Sequence, residues 1–348
     1  MNTRLKKYTA CIWLLALGTN LSYSQTYPPQ KQLAVDAMPS VSKPAYLKPM
    51  VDPVFNTTIV RISDRSVFNS KHAGLDYFHH YAKNQPWNSD GTFIKLHGWP
   101  SAILDGNTFE YIKYITPPGG HTTWANTQPN IIYGAGNDNK LRMLDISTNT
   151  ATEIATFSDF THVSYGSWES NMSNDDRFIA LQCSSATQKA ILVYDVLNKK
   201  EVARMNAPVW PNNVGMSQSG KYVLVQWDVA GTAQYQGIWA YNTSGLSPVR
   251  NVNPSKGGHY DYGYDTQNNE VVVGNTITDR GLAMTRIDNG AKTELLSDAQ
   301  MSWYIHVSCR NVKRPGWAYL TEFADVNTQK SKPNFQKIFA VKLDPLAT

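Results

Sequence analysis

Cysteine is nearly absent from this chain: three in 348 residues. One of them, Cys11, falls in an N-terminal export signal, which leaves Cys183 and Cys309. Two cysteines do not make a disulfide framework in a chain this long, so the fold must rest on its core. Long apolar runs are missing after residue 21, and none reaches the about 20 residues that cross a bilayer, so no membrane span is expected. Charge is sparse, and the lysines and arginines form no cluster of the kind that binds nucleic acid. Helical periodicity of useful length is lacking, which excludes a solenoid of helix pairs. There is no nucleophile elbow, P-loop, dinucleotide fingerprint or HExxH, so serine-hydrolase, nucleotide and zinc-protease chemistry have no motif to stand on.

What is present begins with an address. Met1–Lys7 is short and basic, Ala10–Leu21 is apolar apart from Gly18 and Asn20, and Ser22 and Ser24 are small residues before Gln25. This is the tripartite form of a secretory signal, so residues 1–24 are expected to be cleaved and the protein secreted or periplasmic. Cys11 precedes the end of the apolar run, which argues against a lipoprotein anchor. Cleavage removes Arg4, Lys6 and Lys7 and no acid, taking the formal charge from +5 to +2. Residues 25–55 form a leader carrying Pro28, Pro29, Pro39, Pro44, Pro49 and Pro53, with no periodicity. Residues 56–348 read as one domain.

That domain repeats a polar turn followed by a short β-rich run: Trp87–Leu96, Asn126–Tyr133, Ser173–Leu181, Ser217–Val225, Asp265–Val273 and, more loosely, Asn311–Tyr319. Most units continue into a later strand ending in Asp or Asn, as in Leu141–Asp145, Ile191–Asp195 and Leu282–Asp288. A period of about 40 residues with four short strands is the signature of a propeller blade. The expected fold is therefore an all-β, β-propeller domain with six four-stranded repeats; a seven-bladed propeller lacking its last blade gives the same pattern. The last unit stops short of a fourth strand, and 57–63 is expected to supply it and latch the ring.

The innermost strands line the channel. Aligning the repeats on their turns places Asn84, His121, Glu169, Asn213, Asp261 and His306 at matching positions. In blade one, His80 on the first strand and His97 at the end of the second come together at one rim, where two imidazoles can hold a carboxylate or move a proton near neutral pH. Tyr81, Trp210 and Tyr264 are candidate substrate contacts with the channel residues. Blade five offers Tyr260 as an acid and Arg280 as a carboxylate partner. His259 and His306 from neighbouring blades, with Cys309, form a candidate site for a divalent metal, zinc or calcium; His306 and Cys309 are three apart, so sharing a metal requires a bulge.

The His-Tyr start of blade one, the PWNSDGT turn, the ISD strand before it and the HVSCRN and RPGWAY segments resemble exported β-propeller polysaccharide lyases, ulvan lyases first and oligogalacturonate lyases more distantly. The resemblance runs from Thr57 to Asp344. It implies β-elimination at a uronic acid in an acidic polysaccharide by a monomer, with His80 and His97 matching the catalytic histidine pair. A Tyr/Arg pair farther round the ring is also implied; blade four holds Trp210 and Gln226 there, and blade five holds Tyr264 and Arg280. Ulvan lyases of this kind are seven-bladed. A non-catalytic glycan- or protein-binding module is the alternative, and a scaffolding propeller a third.

Overall fold

Turn chemistry organises the chain. The computed structural model describes residues 41–346 except 54–55, 69–76, 137, 167–169, 230–232, 255–258, 276–280, 298–299, 302–304, 313 and 323–337. In blade 3 the turn at Ser173–Asp176 is closed by the Ser173 hydroxyl, which accepts from the Phe178 amide, and by the Asp175 carboxylate, which accepts from the Arg177 amide and the Ser173 hydroxyl, and Asp176 takes the left-handed conformation at φ 58°. Asp176 also accepts from Asn126 and Thr127 of blade 2, so the turn joins two blades. Ser219 of blade 4 likewise donates to Glu270 of blade 5.

Each turn sends the chain back antiparallel. Blade 2 comprises His121–Trp124, Ile131–Ala135, Lys140–Asp145 and Thr150–Thr156, from the channel outward. Blade 3 comprises His162–Ser164, Phe178–Ser184, Lys189–Asp195 and Lys200–Asn206. Blade 4 comprises Asn213–Met216, Tyr222–Asp228, Gln236–Asn242 and Pro248–Asn253. Blade 5 comprises Tyr260–Tyr264, Glu270–Asn275, Leu282–Arg286 and Lys292–Leu296. Blade 6 shows Ile305–Ser308, Trp317–Glu322 and Ile338–Lys342. Blade 1 shows Phe93–Leu96, Ser101–Asp105 and Tyr111–Ile115, and its inner segment is irregular, tied on by the Phe78–His97 and Trp87–Ile94 bridges. The molecule is a six-bladed β-propeller.

The second strands of blades 3 and 4 and the third strand of blade 3 are buried on both faces, which is why they read as near-continuous apolar runs rather than alternating ones. The core sits between blades. Ile191 and Val193 of blade 3, for example, pack on Val214, Val223, Val225 and Trp227 of blade 4, and the Trp227 indole N–H is satisfied by the Tyr241 hydroxyl at 3.0 Å. Each such side chain contributes about 1.5–3 kcal/mol by leaving water. Similar clusters join blades 1 and 2, 2 and 3, 4 and 5, and 5 and 6.

Blade 1's other face is covered differently, and here the expected latch is corrected. Thr58–Ile59 pairs with Met50–Val51, and Arg61 bridges to Tyr46. Ile62, Tyr46 and Phe68 then bury apolar surface against Tyr77, Leu96, Ala102 and Leu104. The segment is a wedge on blade 1 rather than a fourth strand for blade 6, because that face offers it an apolar partner. Near the axis the Tyr81 ring of blade 1 lies 5.3 Å from that of His306 in blade 6, and its hydroxyl is 2.5 Å from His259 Nδ1 in blade 5.

Candidate functional site at the histidine rim

All inner strands begin at one rim, where the second strands end. Seven of the eight histidines lie there: His79, His80, His97, His121, His162, His259 and His306; His72 lies outside the described residues. In blade 1 the backbone sets Phe78 opposite His97. His80, two residues on, shares the face of Phe78, and its ring centroid is 4.5 Å from that of His97. Asn84 holds both neighbours, with its carbonyl 2.7 Å from His79 Nε2 and its side-chain oxygen 3.3 Å from His80 Nδ1. His121 Nδ1 lies 3.0 Å from the Ser164 hydroxyl of blade 3. Tyr81, His259 and His306 form the other arc of the rim, with the two histidine rings 4.6 Å apart.

Beneath the blade 1 pair lies Lys95, buried, donating from Nζ to Thr122 Oγ1 at 3.1 Å. Burial pulls its pKa down to about 8. The histidines above are shifted the same way. His80 falls to about 3, chiefly by desolvation and then by the Lys95 charge; His121 falls to about 4 by desolvation and the neighbouring His162. His79 and His97 are lowered too, again mainly by burial. These imidazoles are therefore neutral at pH 7, each able to accept a proton or a hydrogen bond. A cleft of about 480 Å³ adjoins His79 and His80 and runs to His306, Tyr319 and Thr321 of blade 6. Phe78 and Trp99 stand exposed beside His97, and Trp210 is exposed on the rim at blade 4.

Several sequence expectations change. Tyr260 is sealed in the channel wall, its hydroxyl on Asn213 Oδ1 at 3.3 Å, so it cannot serve as the rim acid; Tyr81 is the tyrosine the rim presents. Asn213 is itself buried, accepting also from Tyr262 and donating to the Gly166 carbonyl, and is a channel brace rather than a substrate contact. Tyr264 sits at the far end of its strand, away from the rim. Asp261 is fully buried with Oδ2 accepting the Cys309 N–H at 2.7 Å; the blade 5 rim position belongs to His259. Glu169 and Arg280 lie outside the described residues, and His162 opens the inner strand of blade 3 where Glu169 was expected to match.

The metal set does not assemble. Cys309 is buried in the core between blades 5 and 6, where desolvation pushes its thiol well above the ordinary range, and no bulge turns it toward His306. His259 Nδ1 is engaged by Tyr81. Among the described residues no three His, Cys, Asp or Glu side chains gather to hold an ion. Zinc or calcium at His259, His306 and Cys309 therefore does not fit this arrangement, and no chemistry is routed through a metal here.

Sequence reasoning missed His79, His162 and Lys95. The two histidines carried a signal, since each stands at the start of an inner strand. Lys95 carried none, being one lysine in an apolar strand.

No known family profile matches the sequence, and no curated protein does. Solved structures do. An oligogalacturonate lyase in complex with manganese has a TM-score of 0.52 at 11% identity, over 79% of this chain and 81% of that one. The Neurospora crassa Pan2 WD40 domain gives 0.47 at 11% identity, over 70% and 73%. TolB from Acinetobacter baumannii gives 0.40 at 13% identity, over 74% and 62%. At such identities the likeness defines the fold, and the class of this chain is the β-propeller.

Proposed function

We propose that this propeller is an exported polysaccharide lyase, a monomer that cleaves a uronate-containing, ulvan-like glycan by β-elimination at the histidine rim. The observation that carries the reading is the His80/His97 pair, two neutral imidazoles with ring centroids 4.5 Å apart beside a cleft and above a buried lysine. In β-elimination a base removes the proton on C5 of the uronate, the C4–O bond breaks, and the leaving oxygen takes a proton as the C4–C5 double bond forms. His97, the less buried of the pair, is the base. Tyr81, held by His259, protonates the leaving oxygen. Lys95 gives the mouth a positive potential that favours the uronate carboxylate. Asn84, His121 and His306 line the rim, and Phe78, Trp99 and Trp210 offer sugar rings an apolar face.

The test follows absorbance of the unsaturated uronate on incubation with ulvan, polygalacturonate and alginate. Cleavage is expected on at least one polymer, and His97→Ala should lower kcat/KM by about 100-fold or more. No rise on any polymer overturns the lyase reading. A second reading, a glycan-binding propeller without catalysis, is favoured by the sealing of Tyr260; it gives saturable binding and no products. Export is tested separately, the secreted chain being expected to begin at Gln25.

A further inference from the structure

The channel has a second mouth at the ends of the inner strands, and a different chemistry gathers there. A cavity of about 360 Å³ lies between turns of blade 1, the end of blade 2's inner strand and Arg310–Val312 of blade 6. Five asparagines and one glutamine line it, together with Trp87, which is 43% exposed. Of the described residues lining it, Arg310 alone is charged.

Arg310 is unusual in its placement. It is 2% exposed, and it crosses the channel to donate to the carbonyls of Met172 in blade 3 and Met216 in blade 4, both at 2.6 Å. Two carbonyls solvate a guanidinium without neutralising it. No carboxylate forms an ion pair with it among the described residues, and its buried Nε has no hydrogen-bond partner. The buried acid of the channel, Asp261, is engaged by the Cys309 amide and shares its electrostatic attraction between Arg310 and Lys83. Lys83 adds a further buried cation, its Nζ 4.0 Å from the centre of the Tyr260 ring. A buried cation with one N–H unused, at the floor of a cavity without acids, is a site for an anion.

The walls narrow the kind of anion. Planar amides such as Gln85 and Asn107 present donors and acceptors together, as sugar hydroxyls require. The exposed indole of Trp87 offers a flat apolar face, and the volume lies at the lower end of small-ligand sites. We propose that this cavity binds an acidic sugar, its carboxylate turned to Arg310 and its ring laid against Trp87. The site is separate from the histidine rim and does not depend on catalysis there.

The experiment titrates the full-length folded protein with D-galacturonate, D-galactose and inorganic phosphate, followed by calorimetry and tryptophan fluorescence. Galacturonate is expected to bind at least about tenfold more tightly than galactose, and more weakly as salt rises. Trp87→Ala should weaken it by about tenfold. Val312 is 57% exposed at the cavity edge, so charges placed there leave the fold alone. Val312→Lys should tighten and Val312→Glu weaken galacturonate by about fivefold each. His97→Ala should leave this binding unchanged, which separates it from any failure of the rim reading. Absent binding, equal binding of galactose, indifference to Val312→Glu, or phosphate binding as tightly as galacturonate would each overturn the proposal.

Discussion

At the scale of single residues, His79, His80, His97 and His121 are held neutral at pH 7 by burial, and this ties stability to pH. His80 and His121 have folded pKa values of about 3 and about 4 against an ordinary 6.5. Above 6.5 neither state carries the proton and the folded protein keeps its full stability. As pH falls below 6.5 the unfolded chain takes protons that the folded one refuses, so stability is lost toward pH 4 and below. The slope is at most about 1.4 kcal/mol per pH unit for each histidine. Urea midpoints at pH 7 and pH 4.5 should differ accordingly, and His80→Gln should flatten the difference; an unchanged slope would show that the rim does not titrate this way. The same residues show what the sequence could convey. The meeting of His80 and His97 was legible because a turn of recognisable chemistry lies between their strands. Tyr260 misled because a strand's alternation tells which faces differ, not how deep a side chain sits along the channel. In blade 3 the inner strand ends at Ser164 and the second begins at Phe178, so counting back from the turn does not reach His162.

At the scale of elements, the strands themselves were legible, since turn residues and β-branched runs mark each blade locally. The partner of 57–63 was not. A short β-rich run states its propensity but not its sheet, and two apolar surfaces competed for it. The wedge it forms on blade 1 is held by Tyr46, Ile62 and Phe68, and Phe68 is almost fully buried, its ring 5.3 Å from Tyr77 and 5.7 Å from Tyr111. Phe68→Ala should cost about 3–5 kcal/mol in a denaturant titration. A loss below about 1 kcal/mol would mean that the wedge is not part of the cooperative unit. An equally conservative change at exposed Val67, one residue earlier, serves as the comparison.

At the scale of the whole molecule, the two mouths of the channel differ: imidazoles around one, amides and a buried guanidinium at the other. Between them the channel is filled by Lys83, Asn213, Tyr260, Tyr262 and Arg310, so the mouths are separate sites rather than ends of a pore. Blades 1 to 6 are joined in succession by apolar clusters, whereas blade 1 reaches round to blades 6 and 5 through Tyr81 against His306 and His259. Among the described residues no ladder hydrogen bond crosses that seam. Backbone amides of 77–88 should therefore exchange with solvent well before those of Phe178–Ser184 and Tyr222–Asp228, and equal protection would contradict this. A ligand gripping Tyr81 and His306 at once would act as a buckle on this belt: the ring would breathe when empty and stiffen when loaded, so that occupancy of the rim is felt as tension around the entire circumference.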